Sequence, residues 1–474
     1  MKMSSAERAQ MMLHAPVSRI IPKLAIPTII SMLITSIYNM ADTYFVSQIS
    51  TSASGAVGVV FSVMGIIQAI AFTIGMGSGA SVSQALGAGK QDEAQTLCNV
   101  GFFTAMMTGV VILILGNVFI DPIVGFLGAT ETIAPHAKAY ASYIFYAAPF
   151  VMCSFVMNNH LRFQGLATYG MVGITAGGIL NMFLDPIFIF EPGHMLFGFG
   201  LGTAGAAIAT AISQATSFFI LLLQCNLRRD TISIHPRHFR PTKKMYWKIL
   251  YVGFPSLGRQ GIASVANILL NNTVKACVTL ALQDPAISAI SIVSRFVMFI
   301  NSSVIGFGQG FQPVCGFNYG AGQYSRVRKA FWFSVKVTTM ILLVLGLVAF
   351  IFARPIITAF RAEDAEVIRI GTLALRMHLI TIPLWGFIVM GNMFTQSIGY
   401  GGRATLLSAS RQGIFLIPAL LTLPRVLPLA EANVPFAIAA AQPVADALSL
   451  VLAIFIVMSI IRQFRQMPDK PQAP

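Results

Sequence analysis

Charge is what this sequence has least of. Only 10% of its 474 residues are charged, whereas 56% are hydrophobic. Ordinary soluble domains carry about 25% charged residues. A chain so poor in charge cannot cover a water-facing surface, which excludes a soluble enzyme, a disordered protein and a nucleic-acid binder. Cysteine is also scarce. The five cysteines are odd in number, widely spaced and free of any CxxC pair. That excludes a disulfide framework and a thiolate metal site and leaves small buried hydrophobes. Phosphate-binding Walker motifs, catalytic triads and clusters of metal-ligating residues are missing from the sequence. So are the paired Tyr-Asp and Gly-x-Gly-Asp motifs of an intramembrane aspartyl protease.

What remains is apolar and basic: 36 Phe, 23 Met, 40 Gly and a net charge of +15, with a mean hydropathy of +0.75. The basic residues collect between apolar runs, and a spanning helix needs roughly 20 apolar residues. Charge-poor stretches mark six spans in the first half. Six more are expected in the second half by reading through Arg259, Arg295, Arg376, Arg411 and Asp446. The fold class expected is an all-α polytopic membrane protein with twelve transmembrane helices. The basic N-terminus precedes no small-residue cleavage site, so the run from Pro16 to Val46 is expected to persist as the first span. Placing the N-terminus inside puts 20 Lys and Arg in inner segments and 5 in outer ones. The excess places both termini in the cytoplasm.

The chain repeats itself. Gly75–Gly89 and Gly308–Gly322 match at five positions under a shift of 233, including Gly87-Ala88-Gly89 against Gly320-Ala321-Gly322. With small gaps, Pro27 pairs with Pro255, Pro149 with Pro383, Gln164 with Gln396 and Pro186 with Pro418. Two pseudo-symmetric six-helix bundles follow, residues 1–227 and 249–474, joined by a basic cytoplasmic linker, 228–248. Six is even, so both bundles enter the membrane in the same sense, as in rocking-bundle transporters.

Ionisable residues inside a membrane are expensive and mark function by default. Asp42 lies near the outer end of the first span and Asp185 at the outer end of the fifth, so the two should share a depth. Asn181 precedes Asp185 by four residues and lies on the same helical face. Pro186 lacks an amide hydrogen and frees the carbonyl of Met182. Two carboxylates, an amide and a free carbonyl form an oxygen-rich site that suits a proton or Na+. The second half carries several arginines against one acid, Asp446, which is expected to be a structural counter-ion. Its arginines either line a cleft or bond to carbonyls. The many Phe and Met side chains can repack around ligands of different shape.

Leu24-Ala-Ile-Pro27-Thr28, Asp42, Gly87-Ala88-Gly89 with Glu93-Ala94, Phe163-Gln164-Gly165, Asn181 with Asp185-Pro186, and Gly205 to Thr210 together resemble the pattern of the MATE (multidrug and toxic compound extrusion) family. The resemblance runs from about residue 14 to 465. Asn318–Gly322 and Arg411–Pro418 are most similar to the MepA-type multidrug exporters within it. The resemblance implies a non-enzymatic, secondary-active exporter of the bacterial inner membrane. Such a protein exchanges H+ or Na+ for amphipathic, mostly cationic compounds by rocking-bundle alternating access. It also brings Thr210 into the ion-coupling set with Asp42, Asn181 and Asp185. Gln164, Arg259, Arg295, Arg376 and Arg411 are substrate-cleft candidates. No organic cofactor and no nucleic-acid partner are expected; the partners are small molecules and the lipid bilayer, and the protein is expected to act as a monomer. Two other readings stay open: a lipid-linked glycan flippase of the same superfold, and a membrane-embedded enzyme.

Overall fold

In a computed structural model, residues 4–127, 129, 131–191, 198–227, 230–360, 364–426 and 434–471 are described, and nearly all are helical. The first bundle comprises α1 (Val17–Ser47), α2 (Thr51–Gly87), α3 (Gln91–Val118), α4 (Ala134–Phe163), α5 (Ala167–Ile189) and α6 (Gly202–Asn226). The second comprises α7 (Lys243–Cys277), α8 (Leu280–Gly320), α9 (Tyr324–Ile351), α10 (Ala365–Ser397), α11 (Gly401–Val426) and α12 (Val434–Gln466). Among the described residues, eleven of these are long and apolar enough to cross a membrane. The other is α7. Its 35 residues include Lys243, Lys244, Lys248 and Arg259, which dilute its hydropathy without shortening the helix.

The repeat is visible in the helices themselves. The second helix of each bundle is the longest, 37 residues in α2 and 41 in α8. At 1.5 Å per residue these reach about 55 and 60 Å, well beyond a hydrocarbon core of roughly 30 Å. Each bundle also has a short helix after its third long one, Ile120–Phe126 and Ala353–Phe360. One matched pair behaves differently: α4 runs unbroken through Pro149, whereas Pro383 sits in a 3-10 turn, Ile382–Leu384, that divides α10.

Glycines let the bundles meet. A Cβ on Gly87 would strike the carbonyl of Phe317, and one on Gly320 would strike the carbonyl of Gln84. Phe317 and Gln84 are themselves related by the 233-residue shift, so the two contacts form a pseudo-twofold pair between α2 and α8. Gly77 packs on Ile249 of α7, and its counterpart Gly310 packs on Ala25 of α1. Thr28 donates to the carbonyl of Gly306 at 2.6 Å, and the Ser36 and Ser302 hydroxyls pair at 3.0 Å. All of these contacts except the Ser36–Ser302 pair lie toward the face that carries both chain ends.

The terminal segments reinforce that face. The short helix Ser5–His14 has a capping box between Ser4 and Glu7. Its Arg8 pairs with Asp230 of the linker at 3.5 Å. At its other end the carbonyl of Met12 accepts from Asn318 at 3.1 Å and from Arg326 at 3.2 Å. Ile20, Ile21, Leu24 and Ala25 of α1 join the apolar core of the second bundle rather than that of the first.

Candidate functional site

The first bundle holds a buried knot of oxygen atoms. Helix α5 places Asn181 and Asp185 one turn apart on the same side, and Asn181 Nδ2 donates to Asp185 Oδ1 at 3.0 Å. The same amide reaches Thr210 Oγ1 of α6 at 3.3 Å. Asp42 sits inside α1, which continues to Ser47, and its Oδ2 accepts from the Tyr140 hydroxyl of α4 at 3.3 Å. Tyr38, one turn before Asp42, is bonded to Gln214 of α6 and feels the charges of both carboxylates. Asp42 and Asp185 are close enough to act on each other electrostatically. Asp185 is 0% exposed and Asp42 8%.

Among the described residues, three oxygens in this knot have no hydrogen-bond donor: Asp42 Oδ1, Asp185 Oδ2 and Asn181 Oδ1. Buried polar atoms are ordinarily paired, and a deficit of three donors in one place is an excess of negative potential. An all-oxygen donor set of this kind suits a hard monovalent cation or a proton and not a soft metal. Sequence reading named Asp42, Asn181, Asp185 and Thr210 but missed Tyr38, Tyr140 and Gln214. Those three lie on the same stretches of α1, α4 and α6, but their direction becomes visible only when the helices pack.

The second bundle has a different polar centre. Asp446 of α12 is 0% exposed and accepts four hydrogen bonds. Arg411 Nε and Gln442 Nε2 reach one oxygen at 2.7 and 3.0 Å; Trp385 Nε1 and Thr381 Oγ1 reach the other at 2.9 and 3.0 Å. The Arg411 guanidinium also lies 3.6 Å from the centre of the Trp385 ring. Arg411 sits in a π-helical turn, Ser410–Ile414, within α11. Such turns push one residue out of register and often mark functional positions.

The other cleft candidates scatter. Arg295 and Arg411 line a cavity of about 430 Å³ in the second bundle. Arg259 reaches Asn392 of α10 at 3.5 Å and is not among the residues lining that cavity. Arg376 is a correction: it is exposed, its guanidinium 5.3 Å from the Phe350 ring and its Nε bonded to the Phe350 carbonyl, so it does not line the cleft. Gln164 is another. Its Oε1 accepts from the Ile232 amide at 2.9 Å, which ties the end of α4 to the linker. Sequence reading treated Arg162 only as an inner positive charge, yet it is 1% exposed. Its Nη2 bonds to Asn159 and Met76, while Nε and Nη1 have no hydrogen-bond partner among the described residues.

Comparison with known proteins agrees with this architecture. The MatE family model matches residues 27–187 and 262–421, one segment in each bundle. This chain therefore belongs to the MatE family, whose members are multidrug transporters and not enzymes. It is similar to the multidrug export protein MepA of Staphylococcus saprophyticus, 25% identical over 397 residues, covering 84% of this chain and 85% of that one. It is 26% identical over 411 residues to MepA of Staphylococcus aureus strain MRSA252, covering 86% and 87%. Among solved structures, it superposes with a TM-score of 0.88 on the outward-facing conformation of a multidrug resistance MATE family transporter of the MOP superfamily. That pair is 24% identical and covers 98% of this chain and all of the other, a likeness of fold. A MOP superfamily transporter from Pyrococcus furiosus, described as having a binding pocket of reverse polarity, superposes at 0.86 with 26% identity over 98% of this chain. The protein is thus a multi-pass membrane transporter of small molecules.

Proposed function

We propose that this protein is a secondary-active multidrug exporter that exchanges H+ or Na+ for amphipathic organic compounds. The carrying observation is the donor-deficient knot of Asp42, Asn181 and Asp185, where three buried oxygens have no partner among the described residues. Asp42 and Asp185 supply the charge that captures the coupling ion. Asn181 and Thr210 complete its surroundings, and Tyr140 holds Asp42 in place. Asp446, saturated by four donors, serves as a structural counter-ion for Arg411 and takes no part in coupling. The protein works as a monomer, with both termini in the cytoplasm.

Alternating access follows from the glycine contacts. Gly87 with Gly320, and Gly77 with Gly310, close the bundles at the face holding the termini, which makes this the outward-open state. Rocking about the interface opens that face and closes the other. An ion bound more tightly in one state than in the other shifts the balance by that difference in affinity.

The test is dye efflux from cells or proteoliposomes with Na+ and H+ gradients imposed separately. Asp185→Asn keeps the size and hydrogen bonding of the side chain but cannot supply a charge. It is expected to abolish energised efflux while inserting normally. Wild-type rates in a well-expressed mutant would remove Asp185 from the mechanism. No dye effect in wild type under either gradient points instead to a lipid flippase.

A further inference from the structure

The cavity in the second bundle is chemically unlike the knot in the first. At about 430 Å³ it falls within the range of drug-sized ligand sites. Its walls are mostly apolar, with Leu270, Val297, Leu416 and Ile438 among them, Asn301, His378 and Gln442 add neutral polar groups, and no described lining residue carries a carboxylate. Arg295 lines it, is exposed within the chain, and makes no hydrogen bond or ion pair among the described residues. Arg411 also lines it. Only its Nε is engaged, by Asp446, and the stack on Trp385 fixes the plane of the guanidinium. Its two Nη groups have no partner among the described residues. Asp446 is fully buried and already takes four donors, so it anchors Arg411 without presenting negative charge to the cavity. Gln412, from the same π-helical turn, lines the cavity too.

We infer that this cavity binds the anionic group of an amphipathic compound, a carboxylate held by Arg295 and the free edge of Arg411, with the apolar body against the aliphatic wall. A preorganised guanidinium and a second, unpaired one can grip a carboxylate through two parallel hydrogen bonds. The substrates are therefore organic anions or zwitterions, and the coupling cation and the substrate occupy different bundles. The role of the cavity in export rests on the reading of the protein as an exporter; binding to it does not.

The experiment measures equilibrium binding in lipid nanodiscs with no ion gradient. The chain has three tryptophans, so Trp247→Phe with Trp332→Phe leaves Trp385 as the sole donor for energy transfer to a dansyl group. Dansylglycine and its methyl ester share one shape and differ in the carboxylate charge. The unsubstituted cavity is expected to prefer dansylglycine at least tenfold. Arg295→Gln should reduce that preference about tenfold, and Arg295→Lys should retain most of it. Met298→Glu, which sets an acid one turn from Arg295 on the same cavity wall, should reduce the preference as well and does not require removing the arginine. Equal binding of acid and ester before substitution overturns the inference. So does a preference that survives both Arg295→Gln and Met298→Glu. Loss of dye efflux coupling with intact dansylglycine preference would count against the exporter reading alone.

Discussion

Arg411 meets Asp446 through a single nitrogen, Nε at 2.7 Å, while its guanidinium lies over the Trp385 ring, 3.6 Å from its centre. The pair is therefore clamped from two sides. By contrast, Asp42 and Asp185 act on each other with no cation among the side chains described around them. One bundle has its buried charge neutralised within the protein, and in the other the proposed coupling ion would supply that neutralisation. The two carboxylate sites should respond in opposite ways to neutralisation.

Asp446→Asn should destabilise the protein and leave coupling in the surviving molecules largely intact. Breaking a buried pair by removing one partner costs about 3–5 kcal/mol in soluble proteins, because the other charge stays buried. Thermal unfolding in detergent, measured beside Asp185→Asn, checks this. A stable but uncoupled Asp446→Asn together with an actively transporting Asp185→Asn would show that coupling belongs to the second bundle.

Asn181→Ala should raise the half-saturating concentration of the coupling ion by about tenfold with little change in expression. The Asn181 amide bonds both Asp185 and Thr210, at 3.0 and 3.3 Å. Its Oδ1 has no donor among the described residues, so truncation removes one oxygen that can ligate the ion, and each 1.4 kcal/mol of lost ligation is about a factor of ten. Ion-dependent efflux kinetics give the number, and an unchanged half-saturation would exclude Asn181 from the site.

Tyr140→Phe should have a smaller effect of the opposite sign. Its hydroxyl reaches Asp42 at 3.3 Å, a long hydrogen bond, and the ring remains to fill its place in the core. The hydroxyl stabilises the ionised Asp42 in competition with the ion, so apparent ion affinity is expected to rise about two- to fivefold, in keeping with a weak bond of roughly 0.5–1 kcal/mol. A loss as complete as that of Asp185→Asn would mean that Tyr140 moves the proton itself.

Much of this was legible in the sequence, and the reasons are physical. Charges within apolar runs stand out, so Asp42, Asp185 and Asp446 could be picked individually. The four-residue spacing of Asn181 and Asp185 placed them on one face before any tertiary information. What the sequence does not encode locally is the rotation of each helix about its own axis. Arg295 and Arg376 both lie well inside spans, yet one faces a cavity and the other faces outward over Phe350. Gln164 looked equally central, but its partner is Ile232 in the linker. Tyr140 and Gln214 were invisible for the same reason, being ordinary residues until α4 and α6 turn them toward Asp42 and Tyr38. Even α7, an interrupted run in the sequence, is a full-length helix: Lys243 and Lys244 are exposed at its start, and Arg259 within it reaches Asn392 of α10.

The glycine contacts give the last prediction. Gly87 and Gly320 lie where a Cβ would strike a carbonyl of the opposite bundle, Phe317 for the first and Gln84 for the second. Backbone cannot move aside as a flexible side chain can, so Gly87→Val and Gly320→Val must each hold the bundles apart at this face. Both should therefore depopulate the state described here. Spin labels at Gln91 and Tyr324, the first residues of α3 and α9, should report a distance wider by several ångströms in either mutant, and energised efflux should fall with it. Gly58 lies on the same helix as Gly87 but has nothing within 4 Å of a built Cβ. Gly58→Ala should accordingly leave the label distance and transport unchanged, with at most the gain in helix propensity of about 1 kcal/mol. If the label distance stays put in Gly87→Val and Gly320→Val while efflux continues, the two glycines are packing detail and the bundles close elsewhere.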